Sequence, residues 1–224
     1  MSAPSHDRFF FRHRRDAGWQ LAGRLLSHFG GWDDVLVLGL ARGGVPVAFE
    51  VAHALHLPLD VIIVRKLGVP GHRELAMGAI ASGGVRVLNE TVLRHIANAD
   101  AVVEEVAAGE KRELERREVE YRGDRPPLAV REKVVLVVDD GLATGASMRA
   151  AVLALRQREA ARVIVAVPVG SSESCARLAA TADEVICLYT PTAFGAVGEL
   201  YEDFSQTSDE EVRTLLAAAN SPVR

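Results

Sequence analysis

The chain is poor in cysteine: Cys175 and Cys187 are its only two among 224 residues. They form no CxxC pair and no histidine cluster accompanies them, which argues against a structural zinc site and a disulfide framework. Each sits in apolar text and reads as a buried free thiol. Aromatic residues make up 5%, too few for the stacking platforms that hold single strands. A basic excess is missing too. Lys and Arg total 26 against 30 Asp and Glu, a formal charge of −4, which disfavours a general nucleic-acid binder. No apolar run approaches the roughly 20 residues that span a bilayer. Met1 to Phe11 has no apolar stretch of the signal-peptide kind. The expectation is a cytoplasmic protein with neither nucleic acid nor membrane as partner. Competing phosphate and nucleophile motifs are also missing. No lysine lies between Gly141 and Ser147, so there is no P-loop. No GxGxxG follows a strand, and Gly145-Ala146-Ser147-Met148-Arg149 lacks the last glycine of a nucleophile elbow.

What is present is an alternation of short β-branched runs and helical patterns. Hydrophobic residues make up 49% and charged ones 25%, enough for one domain over 1–224 that buries roughly 70% of its unfolded surface. Predicted strands are Val35 to Leu38, Val61 to Val64, Val134 to Val138, Val163 to Val167 (ended by Pro168) and Glu184 to Leu188. Predicted helices are Val45 to Leu55, Met148 to Arg158 and Ser172 to Ala180. Unbroken apolar strands are covered on both faces. Their alternation with helices implies α/β architecture, an open, mainly parallel sheet with helices on both faces. The core runs from about 15 to 188, and 189–224 forms a C-terminal hood or tail. Asp100 to Arg122 carries opposite charges at i, i+3 and i, i+4 and reads as one long exposed helix. Ser208-Asp209-Glu210-Glu211 is a capping box that opens a last helix to about Asn220.

One stretch carries chemistry: Val134-Val135-Leu136-Val137-Val138-Asp139-Asp140-Gly141-Leu142-Ala143-Thr144-Gly145-Ala146-Ser147. A buried strand runs into two carboxylates, a loop of small residues and the start of a helix. That is the carboxyl end of a parallel strand, where open α/β sheets bind ligands. Backbone N–H groups of Gly141 and Ala143 to Ser147 beside a helix N-terminus suit a phosphate. Gly145 removes a Cβ that would block close approach, and the Thr144 and Ser147 hydroxyls can donate. Two acids beside a phosphate cradle repel an anion unless the ligand also offers hydroxyls a sugar's length away. Asp139 and Asp140 suit the 2′- and 3′-hydroxyls of a ribose 5-phosphate, or help balance a divalent metal or a developing positive charge.

In order and without gaps, this run resembles the signature of type I phosphoribosyltransferases. Leu38-Gly39-Leu40-Ala41-Arg42-Gly43-Gly44-Val45-Pro46 is similar to the family's pyrophosphate loop. The resemblance places an unusual, cis peptide at Ala41–Arg42. Gly43 and Gly44 supply unusual backbone conformations and N–H groups, and Arg42 a forked cation. Val64-Arg65-Lys66-Leu67-Gly68-Val69-Pro70-Gly71-His72-Arg73-Glu74 reads as a mobile lid. The resemblance gives Lys66 a pyrophosphate contact, while Arg65 points elsewhere because strand neighbours alternate. Arg15 to Gly18, Ala76 to Ile80 and Tyr201 to Val212 look like a bacterial group of phosphoribosyltransferase-domain proteins, extending the likeness over about 15–215. There Asp16 reads as a helix cap and Met77 as core.

The resemblance implies an enzyme that binds 5-phosphoribosyl-1-pyrophosphate with magnesium, transfers phosphoribosyl to a nitrogen acceptor such as a nucleobase, and releases pyrophosphate. Catalytic candidates are Asp139, Asp140, Lys66 and Arg42. Ala41, Gly43, Gly44, Gly141, Ala143, Thr144, Gly145, Ala146 and Ser147 complete the substrate site. Magnesium rides mainly on the substrate, with Asp139 as its protein ligand. A hood formed by Phe9-Phe10-Phe11 and Thr190 to Phe204 selects the acceptor, with Tyr189, Phe194 or Tyr201 available to stack on it. The alternative is a regulator that senses 5-phosphoribosyl-1-pyrophosphate without catalysis. A homodimer is the default assembly.

Overall fold

A computed structural model describes residues 10–29, 34–127 and 129–220. In chain order the elements are α1 (Arg14–Phe29), β1 (Val35–Leu40), α2 (Gly44–Leu55), β2 (Leu59–Ile62), β3 (Val64–Val69), β4 (His72–Ala81), β5 (Val85–Leu88), α3 (Glu90–Leu93), α4 (Ala99–Arg122), β6 (Val134–Val138), α5 (Ala146–Gln157), β7 (Arg162–Val169), α6 (Ser172–Leu178), β8 (Glu184–Tyr189), a 3-10 turn (Val197–Leu200) and α7 (Asp209–Ala219). Five strands form a parallel sheet in the order β2-β1-β6-β7-β8. A period of two sends alternate side chains to opposite faces. Val35, Val37, Leu136, Val138, Ile164 and Ala166 join α1, α2, α4 and α7 on one face. Leu36, Leu38, Val135, Val137, Val163 and Val165 join α5 and α6 on the other. Each fully buried Val or Leu contributes about 1.5–3 kcal/mol, so covering both faces fixes the register of every strand.

The run Val61 to Val64 is not one strand. Val61 belongs to the end of β2, whereas Val64 opens a separate antiparallel sheet of order β3-β4-β5. The break is at Ile63. Its N–H donates to Ser82 Oγ at 2.9 Å and its carbonyl accepts the Ser82 N–H at 2.9 Å. The segment read as a lid is mostly strand: Val69 pairs with His72 across a tight turn at Gly71 (φ 79°). Pro168 lies inside β7 and does not end it. The β6 pairing stops at Val138–Ala166, so no ladder donor is needed from Pro168 on that side.

The helix of the charge-dense segment has one buried stripe, Val103, Ala107, Leu114 and Tyr121. Its outer face carries ion pairs of Arg116 and Arg117 with Glu113. Ser208 caps α7 by accepting the Glu211 N–H at 3.1 Å. The N-terminal segment meets the hood: the Phe10 and Phe11 N–H groups donate to Leu200 O, and the Glu202 N–H to Phe11 O at 2.9 Å. Phe11 packs on Tyr201, with ring centroids 5.1 Å apart. Phe9 lies outside the described residues. No described helix is long and apolar enough to cross a membrane.

The end of α4 is tied to β2 by a buried pair. Arg122 Nε lies 2.9 and 3.0 Å from the two Asp60 oxygens, and its guanidinium also donates to Val61 O at 2.6 Å. Removing one partner of such a pair strips a buried charge of its hydrogen-bonded countercharge. Arg122→Met therefore lowers stability by about 3 kcal/mol. Urea unfolding at neutral pH measures this, and a loss below about 1 kcal/mol contradicts it.

Candidate active site

The site forms where β1, β6 and β7 end. After β6 the chain delivers Asp139, Asp140 and a loop held from one side. The Leu142 N–H donates to Val169 O at 2.9 Å, the Ser171 N–H to Leu142 O at 3.2 Å, and Ser174 Oγ to Ala143 O at 2.5 Å. Those bonds consume the Leu142 N–H and the Leu142 and Ala143 carbonyls and leave the amides that follow. Among the described residues, the N–H groups of Ala143, Thr144, Gly145, Ser147 and Met148 meet no acceptor, while the Ala146 N–H reaches Thr144 Oγ1 at 3.4 Å. Gly145 is the N-cap of α5 at φ 71°, a left-handed conformation that a Cβ would strain. This row of amides at a helix start attracts an anion.

Asp139 and Asp140 directly follow β6 and keep a fraction of their surface exposed. Asp139 Oδ1 accepts the Asp140 N–H at 2.9 Å. Burial pushes the Asp139 carboxyl well above the ordinary aspartate range, and Asp140 pushes it the same way. Burial also raises Asp140, opposed by Arg14. Arg14 Nε donates to Asp140 Oδ2 at 2.8 Å, and another guanidinium nitrogen donates to Ser205 O at 2.6 Å. The guanidinium lies 3.9 Å over the Phe204 ring. The Tyr201 hydroxyl donates to Asp140 O at 2.6 Å.

The loop after β1 approaches these acids more closely than any side chain allows. A Cβ on Gly43 would lie 2.1 Å from Asp140 Oδ2. One on Gly44 would lie 2.5 Å from Val138 O. The glycines are there for this approach, not for conformation: neither has positive φ, and Gly43 is right-handed helical. The Ala41–Arg42 peptide is cis, as the family resemblance implies. The Arg42 guanidinium turns to α7, where NH1 lies 3.5 Å from Asp209 Oδ1.

Lys66 lies on the solvent side of β3 and lines a cleft of about 270 Å³ with Asn89, Thr144, Ser147 and Arg149. The antiparallel ribbon thus brings a lysine towards the amide loop. Arg65 points the other way, to Glu110 at 2.7 Å, as strand alternation predicts. The side chains of Arg73 and Glu74 lie outside the described residues, and His72 is exposed. Asp16 accepts the Arg12 N–H at 2.9 Å, and Met77 is core.

The readings of Tyr201 and of the cysteines need correction. Tyr201 is no stacking face: it is 2% exposed and its hydroxyl serves Asp140. Tyr189 stacks on Phe10, centroids 4.8 Å apart, and stays 37% exposed. The two cysteines are half-buried and close together, because a Cβ on Gly170 would lie 3.0 Å from Cys175 Sγ and 3.4 Å from Cys187 Sγ. Sequence reasoning missed Arg14, Ser174, Tyr121 and Asp209. None stands in a recognisable local motif for this role, and Arg14 is 126 residues from the acid it meets.

The raised Asp139 carboxyl makes a testable prediction about stability. A folded state that holds the proton more tightly than the unfolded chain loses stability as pH rises through the folded titration. Asp139→Asn keeps the Oδ1 acceptor and removes the charge. It should be more stable than the parent at pH 8 by about 1 kcal/mol or more. The gain should shrink as pH falls towards 4. Thermal unfolding at both pH values checks it; an equal effect at both contradicts the burial argument.

Residues 15–204 match the family model for the phosphoribosyl transferase domain. A Mycobacterium tuberculosis protein that carries the provisional name of phosphoribosyl transferase, found in strains CDC 1551 and H37Rv, is 49% identical over 210 residues. The alignment covers 94% of this chain and 47% of that protein, so the chain spans about half the length of the curated relatives it matches. A Thermus thermophilus protein of known crystal structure is 45% identical, with a TM-score of 0.82, over 94% of this chain and 99% of that one. A match that runs from the first helix through the amide loop to the hood leaves one assignment: the chain belongs to the phosphoribosyl transferase domain family.

Proposed function

We propose that the protein binds 5-phosphoribosyl-1-pyrophosphate with magnesium and transfers the phosphoribosyl group to a nitrogen of a nucleobase-like acceptor, releasing pyrophosphate. The observation that carries this reading is one corner with two sides: the paired carboxylates Asp139 and Asp140, and the row of amides from Ala143 to Met148. The amides, with the Thr144 and Ser147 hydroxyls, take the 5-phosphate. The carboxylates take the ribose hydroxyls. Asp140 Oδ1 is the atom available for this, since Oδ2 is held by Arg14.

Arg42 and the Ala41 to Gly44 backbone, with Lys66 reaching in from the ribbon beside the amide row, take the diphosphate leaving group. As the bond to the leaving group lengthens, positive charge gathers on the sugar and negative charge on the diphosphate. Carboxylates beneath the first and cations beside the second stabilise both charges as they develop. The donor set fits magnesium only as a passenger. Asp139 has one carboxylate oxygen, Oδ2, without a hydrogen bond among the described residues, and no described cluster of three metal-ligating side chains exists. Magnesium would neutralise diphosphate charge, held by substrate oxygens and Asp139. The hood cleft bounded by Phe10, Phe194 and Glu199 suits a flat base that offers N–H groups.

Isothermal titration with 5-phosphoribosyl-1-pyrophosphate and magnesium should show binding that Asp140→Ala weakens about tenfold, the size of one hydrogen bond to a charged group. Unchanged affinity removes the ribose assignment. A pyrophosphate-release screen over purine and pyrimidine bases should find an acceptor. Silence across that panel with tight binding intact overturns the transferase reading in favour of a sensor.

A further inference from the structure

The first residue of α7 reaches back to the loop after β1. Asp209 Oδ1 accepts the Tyr121 hydroxyl at 2.5 Å and lies 3.5 Å from Arg42 NH1. Helix α7 does not need either contact to begin, since Ser208 caps it. An acid in a first turn is common, because it complements the helix dipole. That alone gives no reason for a tyrosine from α4 and an arginine from a third segment to converge on it.

Tyr121 is 1% exposed, so its ring is locked in the core and its hydroxyl has a fixed position. Burial raises that hydroxyl's pKa and the bond to Asp209 raises it further. It therefore stays a donor at any working pH. Asp209 is thereby held in place, and through it the Arg42 guanidinium. The side chains of Arg42 and Asp209 are each about a quarter exposed, so the pair is partly shielded from water. Arginine has five N–H donors in a rigid fork, and a contact at one terminal nitrogen leaves others for an anion. An unanchored arginine gives up rotamer freedom when it binds.

We propose that Asp209, fixed by Tyr121, is a positioning residue that holds Arg42 ready for the diphosphate end of the ligand. This rests on the role given to Arg42 under the proposed function. The opposite possibility is physically clear: an acid beside the cation lowers its attraction for a second anion. The two make opposite predictions.

The experiment is calorimetric titration of the full chain with two probes, inorganic pyrophosphate with magnesium and ribose 5-phosphate. Asp209→Asn should weaken pyrophosphate binding about tenfold, the scale of one charge-assisted contact. Ribose 5-phosphate binding should stay the same. Tyr121→Phe keeps the packed ring and should shift pyrophosphate binding in the same direction by a smaller factor; it decides alone if Asp209→Asn does not fold. Tighter or unchanged pyrophosphate binding in Asp209→Asn overturns the positioning role, and so does a parallel loss of both probes, which marks a purely structural contact. Arg42→Ala separates the two levels. If it leaves pyrophosphate binding untouched, the assignment of Arg42 has failed, whatever Asp209 does.

Discussion

The site depends on one close approach of two backbones. Strands β1 and β6 are neighbours in parallel register, with Gly39 opposite Val138. Past that point the two chains do not splay apart. The loop after β1 lays Gly43 and Gly44 directly against Val138, Asp139 and Asp140, at distances that exclude a Cβ. A loop suited to one anionic group and a carboxylate pair suited to a polyol thus come to share a wall. Any side chain at 43 or 44 would push the loop away from the carboxylates.

That approach has an electrostatic cost. Two adjacent carboxylates closed in by backbone are harder to ionise, and both titrate upward. The protein offsets this through its terminal segments. Arg14, at the start of α1, answers Asp140 while bonded to Ser205 O and lying over Phe204. Tyr201 secures the Asp140 carbonyl. The hood is therefore coupled to the acids chemically as well as by packing: its pairing with residues 10–12 sets where Arg14 enters. Folding free energy is given up at the acids and partly regained at the hood, a common pattern where function needs a destabilised group.

How much of this was legible in the text follows from the range of the interactions. The strand Val134 to Val138 and its loop were readable residue by residue, because a doubly covered strand must be continuously apolar and the amide loop follows it directly. The α7 cap was equally local. The ribbon β3-β4-β5 was not readable as a sheet. Its glycines and Pro70 resemble loop punctuation, and the break at Ile63 is made by Ser82, 19 residues on. Local text suggests a conformational reason for Gly43 and Gly44, whereas what excludes a side chain there is a strand that arrives about 95 residues later. Arg14 and Asp209 left no local trace, since each acts on a group brought to it only by the finished fold. The same holds for the cysteines, which spacing kept apart and which meet beside Gly170.

The two cations assigned to the diphosphate differ in how they are held, and that difference follows from the layers. Arg42 belongs to the main sheet and is anchored to α7, whose first residue is tied in turn to the core of α4. Lys66 belongs to the ribbon, which meets the main sheet at Ile63 and packs on the start of α5. The first has an ion-pair partner before any ligand arrives. The second rides on a separate sheet that leans on the very helix whose amides form the phosphate row. A ligand with its 5-phosphate on that row and its diphosphate on Lys66 would join the ribbon to α5, whereas the Arg42 contact would be made by a guanidinium that already has a partner. The fold therefore supplies preorganisation on one side of the diphosphate and a sheet of its own on the other.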